Sequence, residues 1–137
     1  MIQAYSDGLT VAAGATIPLN NISYLKGNNT SHSAPATVGL DKRGVYMIHV
    51  DAYGTPDDAG NFGVQLAVNG IPRLDAISEA TVAVGDYGAV SFNCLVTVAT
   101  SDCPCNCTSA PTNLTLVNPS DVGATEGHYN MIVSQLC

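Results

Sequence analysis

The chain has 137 residues, which fits one domain spanning 1–137 with its own core and leaves little room for two. Hydrophobic residues make up 46% and charged residues only 11%, against roughly 25% charged in an average domain, so much of the surface must be Ser, Thr, Asn and Gly or lie under a partner. The formal net charge is -7, and Lys26, Lys42, Arg43 and Arg73 are the only Lys and Arg, which argues against nucleic-acid binding and against docking on an anionic membrane.

Met1-Ile2-Gln3-Ala4-Tyr5-Ser6-Asp7 lacks a basic start and a long apolar stretch, so it does not read as a signal peptide. With Met1 taken as native, the protein is expected to be made in a cytoplasm and to reach its site by assembly or lysis. No apolar run approaches the ~18 residues that span a bilayer. Short strand candidates follow at 9–11, 17–19, 22–25 and 38–40. The clearest run is Gly44-Val45-Tyr46-Met47-Ile48-His49-Val50-Asp51-Ala52-Tyr53, which alternates with a period of two. Tyr46, Ile48, Val50 and Ala52 share one face; Val45, Met47, His49 and Asp51 share the other. A second run places Phe62, Val64, Leu66 and Val68 together and stops at the turn dipeptide Asn69-Gly70. After a candidate at 77–84, a third long run aligns Val90, Phe92, Cys94, Val96 and Val98 opposite Ser91, Asn93, Leu95 and Thr97. A cysteine-rich loop occupies 101–111, and candidates at 114–117 and 129–136 close the chain. That makes about ten strands with short turns and no crossover helix, the signature of an antiparallel sandwich or barrel. One aliphatic core is predicted, lined by Tyr46, Ile48, Val50, Phe62, Val64, Leu66, Phe92, Cys94, Val96 and Leu114.

The stretch from Gly44 to Ala52 resembles strand C of the tumour-necrosis-factor/complement-globular-head superfamily: glycine, any residue, aromatic, then alternating aliphatics. Val64-Gln-Leu-Ala-Val-Asn-Gly70 looks like that family's next strand, and the order of later elements fits from Ile2 to Cys137. The nearest subgroups are the globular tips of bacterial collagen-like spore-surface proteins and the decoration and fibre heads of tailed phages. The chain departs from the former in having no Gly-X-Y stalk, and its Cys-x-Cys-x-Cys loop is not a family feature. The resemblance implies an all-β, antiparallel jelly-roll sandwich assembling as a homotrimer. The alternation supports a trimer independently. Val45 and Met47 share a face with polar residues, while Tyr129, Met131 and Val133 oppose Ile132 and Leu136. Strands apolar on both faces need a second burial partner, which a threefold neighbour supplies. The expected interface is Val45, Met47, His49, Asp51, Asn93, Leu95, Met131 and Val133.

The cysteines pose the sharpest chemical question. Cys94 falls in line with Phe92 and Val96, as a buried small hydrophobe would. If successive strands alternate direction, Cys137 ends at the same edge as Cys103, Cys105 and Cys107. Disulfides, a metal site and free thiols are all open for these four. The spacing is tight for the usual Cys-x-x-Cys zinc hairpin, and disulfides suit a particle living outside cells. The first strand should lie beside the last, placing Met1 near Cys137 at the edge that meets a carrier. The loop Asn118-Pro119-Ser120-Asp121 is then expected to face solvent at the opposite end.

Other motifs are weaker. Asp57, Asp58 and Asn61 offer hard oxygen ligands that could hold calcium, although turn formation is their ordinary role. The Asn-x-Ser/Thr triplets at Asn21, Asn28, Asn29, Asn106 and Asn113 are expected by chance in such a sequence. His49 with Asp51 could be a base and its orienter, but no nucleophile elbow, phosphate loop or zinc-protease helix is present. The chain is therefore expected to be no enzyme and to need no cofactor. The expected role is a structural protein on the virion surface: a trimeric capsid decoration or short head fibre of a tailed phage, bound to capsid or other virion proteins. A carbohydrate- or protein-binding adhesion module, which could grip a surface glycan, and a spore-surface tip are the alternatives.

Overall fold

The computed structural model describes residues 1–34, 36–99 and 111–137. Alternating sequence becomes strand wherever one parity is apolar and the other can face outward. The strands are β1 (Ile2–Val11), β2 (Thr16–Ile17), β3 (Asn21–Leu25), β4 (Thr30–Ala34), β5 (Thr37–Leu40), β6 (Gly44–Pro56), β7 (Gly60–Val68), β8 (Ile71–Val82), β9 (Gly88–Val98), β10 (Thr112–Val117) and β11 (Ala124–Gln135). A five-stranded sheet runs β3-β1-β11-β6-β9, and a six-stranded sheet runs β4-β5-β10-β7-β8 with β2 pairing β10. The pairings are antiparallel, and the fold is an all-β jelly roll. Strand β4 was not among the sequence candidates. Its Thr-Ser-His-Ser-Ala has no apolar parity, and it exists as an edge strand paired to β5.

The core fills the space between the sheets. Tyr46, Ile48 and Val50 of β6 meet Phe62, Val64 and Leu66 of β7, with Val96, Leu114 and Cys94 beside them, all buried. Each such side chain contributes about 1.5–3 kcal/mol on burial. Phe92 is the exception among the expected core residues: it packs against the core but is only partly buried. It lies on β9, the edge strand of its sheet, where cover is incomplete.

Two expectations are corrected. Met131 and Val133 do not lie on the outer face proposed as an interface; both are fully buried in the core. Their register opposite Val50 and Ile48 places them inside, and Ile132, opposite His49, is the apolar residue of this stretch that points outward. A one-residue choice of parity moves a whole strand's side chains from one face to the other. The 118–121 loop is likewise not a solvent-facing tip. Asn118 is 1% exposed and Ser120 7% exposed. The Asn118 side-chain amide donates to the Ala12 (3.3 Å) and Val122 (3.1 Å) carbonyls, and its Oδ1 accepts from the Ser120 amide at 3.0 Å. This asparagine ties the β1–β2 turn to the β10–β11 loop; of the four residues only Asp121 is exposed.

The termini lie together as expected. Ile2 pairs with Val133, and the Val45 amide donates to the Cys137 carbonyl at 3.1 Å. Gly44, at φ 147°, allows this approach: a Cβ there would stand 2.3 Å from the Cys137 carbonyl oxygen. Val98 pairs with Gly44 and Thr112 with Leu40, so the strand ends bordering 100–110 share this end of the sandwich. Cys103, Cys105 and Cys107 lie outside the described residues. Cys94 and Cys137 are unpaired, and burial pushes the Cys94 thiol up.

Phe62→Ala should cost about 3–5 kcal/mol in urea unfolding, and Phe92→Ala distinctly less, because less of Phe92 leaves water on folding. A second expectation concerns Tyr129, whose buried hydroxyl has no hydrogen-bond partner and whose pKa is pushed up to about 12 by burial. Below pH ~10 both folded and unfolded chains keep this proton; above it the unfolded chain loses it first, so stability falls as pH rises from ~10 to ~12. Tyr129→Phe should flatten part of that alkaline limb at no cost in stability near neutrality, read by thermal melts across the range.

Candidate functional site on the outer sheet face

The five-stranded sheet buries one face against its partner sheet and leaves the other uncovered in the single chain. Three zones run along that outer face from the terminal end to the loop end. Nearest the termini, Val45 and Met47 of β6, Leu95 of β9 and Ile132 of β11 form an apolar strip; Leu95 is 49% exposed. Met47 pairs with Leu95, while Ile132 lies one row further on, opposite His49 and Gln3 at the edge of the polar zone.

The middle zone is a chain of polar side chains crossing four strands. His49 Nδ1 stands 2.6 Å from Asn93 Oδ1, and its Nε2 stands 3.1 Å from Asp51 Oδ2. The Asn130 amide donates to the same Asp51 oxygen at 3.4 Å, and the Gln3 amide donates to Asn130 Oδ1 at 2.9 Å. The sequence brought His49 and Asp51 together; Asn130 and Gln3 follow from register alone. Both ring nitrogens of His49 are engaged, one by Asn93 and the other by Asp51.

Toward the loop end the face becomes concave. Register shifts interrupt β1 between Ser6 and Leu9 and β11 between Thr125 and His128. Such bulges bend strands and re-aim side chains. A groove of about 430 Å³ opens there, lined by Gln3, Tyr5, Asp7, Ser23, Asp51, Tyr53, His128 and Asn130 among others. Tyr53 stacks on His128 with centroids 4.2 Å apart, and His128 is ion-paired to Asp7. Nothing in the sequence marked this groove, because its walls come from four strands.

The remaining sequence candidates separate. Asp57, Asp58 and Asn61 sit at the β6–β7 turn. Asp58 Oδ1 accepts from the Ala59 amide at 2.8 Å and Asn61 Oδ1 from the Thr81 hydroxyl at 2.9 Å, which is turn and cross-strand chemistry. Among the described residues no group of three or more His, Cys, Asp or Glu comes together to hold a metal.

No family model matches the chain, and no curated protein matches it. Solved structures do. The globular domain of a zebrafish complement 1qA protein superimposes with a TM-score of 0.69 at 7% identity, covering 99% of this chain and 96% of that one. The Eiger TNF of S. frugiperda gives 0.68 at 11% identity over 99% and 92%. The PRD1 vertex protein P5 gives 0.62 at 13% identity over 99% and 96%. The fold is the tumour-necrosis-factor/complement-type jelly roll. Within that jelly roll the outer face just described belongs to the sheet that carries both chain termini, β1 and β11.

Proposed function

We propose that the protein is a non-enzymatic structural head, a homotrimer displayed on the surface of a virion as a capsid decoration or short head fibre. The observation that carries the assembly is the apolar strip of Val45, Met47, Leu95 and Ile132 on a sheet face that the single chain leaves uncovered. Burying such a strip between copies offsets the cost of association, and a closed cyclic arrangement uses the same face in every copy. The polar chain of His49, Asp51, Asn93 and Asn130 then borders the strip and gives the interface its register.

The virion role rests on a chain of low chemical reactivity and on likeness of fold to proteins that include a vertex protein. The terminal end suits the carrier. It gathers the Met1 ammonium, Lys26, Lys42 and Arg43, with Met1 bonded to the Lys26 carbonyl and Tyr46 to that of Lys42. Capsid or other virion proteins are the partners in this reading. A glycan-gripping adhesion role is the second reading, favoured by the groove beside Tyr5 and Tyr53.

Sedimentation equilibrium should give a mass near three times the 14.1 kDa chain. Met47→Asp should dissociate it, because the assembly would bury unpaired like charges, whereas Lys42→Asp on the β5–β6 turn should leave it intact. A stable monomer at micromolar concentration contradicts the assembly. Cryo-electron microscopy of particles carrying the protein tests the location: density for a trimer on the shell supports it, and bare shells with free protein refute it.

A further inference from the structure

The charged groups of the outer sheet face are few, and they are paired. No Lys, Arg or Glu stands at the outward positions of β1, β6, β9 and β11 that register with Val45 to Tyr53. The carboxylates are Asp51 and, in the β1 bulge, Asp7, and each has a histidine against it. His49 Nε2 stands 3.1 Å from Asp51 Oδ2, and His128 Nδ1 is paired with Asp7 Oδ1. The remaining histidine, His32, lies on β4 of the other sheet, with its Nε2 2.7 Å from the Leu19 carbonyl. Histidine is the side chain whose charge ordinarily changes near neutral pH, so the face carries that capacity in two His–Asp pairs.

The surroundings of His49 fit its protonated form. Its Nδ1 stands 2.6 Å from Asn93 Oδ1, and its Nε2 faces Asp51 Oδ2, so both partners are acceptors. A neutral imidazole has one N–H and would leave one of these contacts between two lone pairs, whereas the imidazolium donates to both. Loss of the proton therefore requires the Asn93 amide to turn its NH2 toward Nδ1. No second titratable group faces His49: β9 brings Asn93 and β11 brings Ile132 and Asn130. Around His128, β1 brings Asp7 and β6 brings Tyr53, which stacks on the ring at 4.2 Å. Glu126, in the β11 bulge beyond, takes the Tyr87 hydroxyl.

We propose that formation of the homotrimer is coupled to proton uptake at His49 and His128, so that the assembly tightens as pH falls through the histidine range and loosens as it rises. This coupling rests on the reading that copies of the chain meet on this face. In the single chain water screens the pairs, because the Asp51 and Asp7 side chains are 49% and 65% exposed. Covering the face removes that water. With neutral histidines, two carboxylates from each of three copies would be covered with no Lys or Arg among them, and an uncompensated buried charge is costly. With protonated histidines each pair is neutral overall, and losing the water strengthens it. The assembled state therefore holds these protons more tightly than the free chain does. A state that binds more protons gains as pH falls and loses as pH rises.

Sedimentation equilibrium of the full chain from about pH 8.5 to about pH 5.5, at constant ionic strength, tests the coupling across the histidine range. Subunit exchange between isotopically light and heavy chains, read by native mass spectrometry, reports dissociation where the trimer is tight. From about pH 8 to about pH 6 the trimer formation constant should rise about tenfold or more, and exchange should slow in step. His49→Gln, a neutral hydrogen-bonding replacement, should flatten most of this dependence, and the double variant His49→Gln/His128→Gln should abolish it. Asp51→Asn should assemble more tightly than the natural chain at the alkaline end and gain less on acidification, because the uncompensated carboxylate is gone. A merely structural Asp51 would instead weaken assembly at every pH. Lys26→Gln, away from the face, should leave the profile unchanged, and circular dichroism confirms that each variant is folded. A trimer whose formation constant and exchange rate do not change across the range overturns the coupling and leaves the trimer standing. The same holds if the double variant keeps the natural pH profile. A chain that stays monomeric at every pH removes both.

Discussion

The rest of the structure depends on the register of β6 between β11 and β9. Ile48 lies opposite Val133 on one side and Cys94 on the other, and Val50 opposite Met131 and Phe92. That alignment puts Tyr46, Ile48 and Val50 against the second sheet, and it necessarily turns Val45, Met47, His49 and Asp51 to the outside. The two faces are therefore one decision. A shift by one residue would bury His49 and Asp51 in the core without partners, a cost far above anything the apolar strip could return. The core thus selects the outer face.

That outer face is graded along its length. Apolar residues near the termini suit permanent burial between copies, where water is excluded and hydrogen bonds are few. The polar chain through His49 and Asn130 is linked by side-chain hydrogen bonds from Asn93 to Gln3 and borders that strip. The groove beyond lies where two bulges bend the strands, with Asp51 held by His49 and Asn130 and Asp7 by His128. Charge follows the same axis, with cations by the termini and carboxylates at the loop end.

Much of the fold could be read from the residues. The run from Gly44 to Tyr53 placed β6 and its inward parity correctly, and Asn69-Gly70 placed the β7–β8 turn; Asn69 adopts the left-handed φ of 51° that such a turn demands. Gly44 was legible as a motif but not as physics until the Cys137 carbonyl was seen packed where a side chain would stand. Parity failed on β11, because Met131, Val133 and Ile132 are all apolar and alternation alone cannot rank two apolar faces; only pairing to β6 decides. The 118–121 loop was misjudged because Asn, Pro, Ser and Asp ordinarily mark exposed turns, while here Asn118 spends its amide on a buried tie between two loops. The groove was hard to read: its residues come from β1, β3, β6 and β11, and its shape from two bulges whose only signals were Gly8, at φ 66°, and Gly127.

The central claim, that copies of the chain meet on the outer face of the five-stranded sheet, is tested most directly by site-specific photocross-linking. A benzophenone side chain placed at Leu95, on that face, should join one chain to a second and give dimeric and trimeric bands at micromolar protein. The same group at Thr115, in the middle of the six-stranded sheet, should give none. Cross-links from Thr115 but not from Leu95, or from neither, would contradict the account.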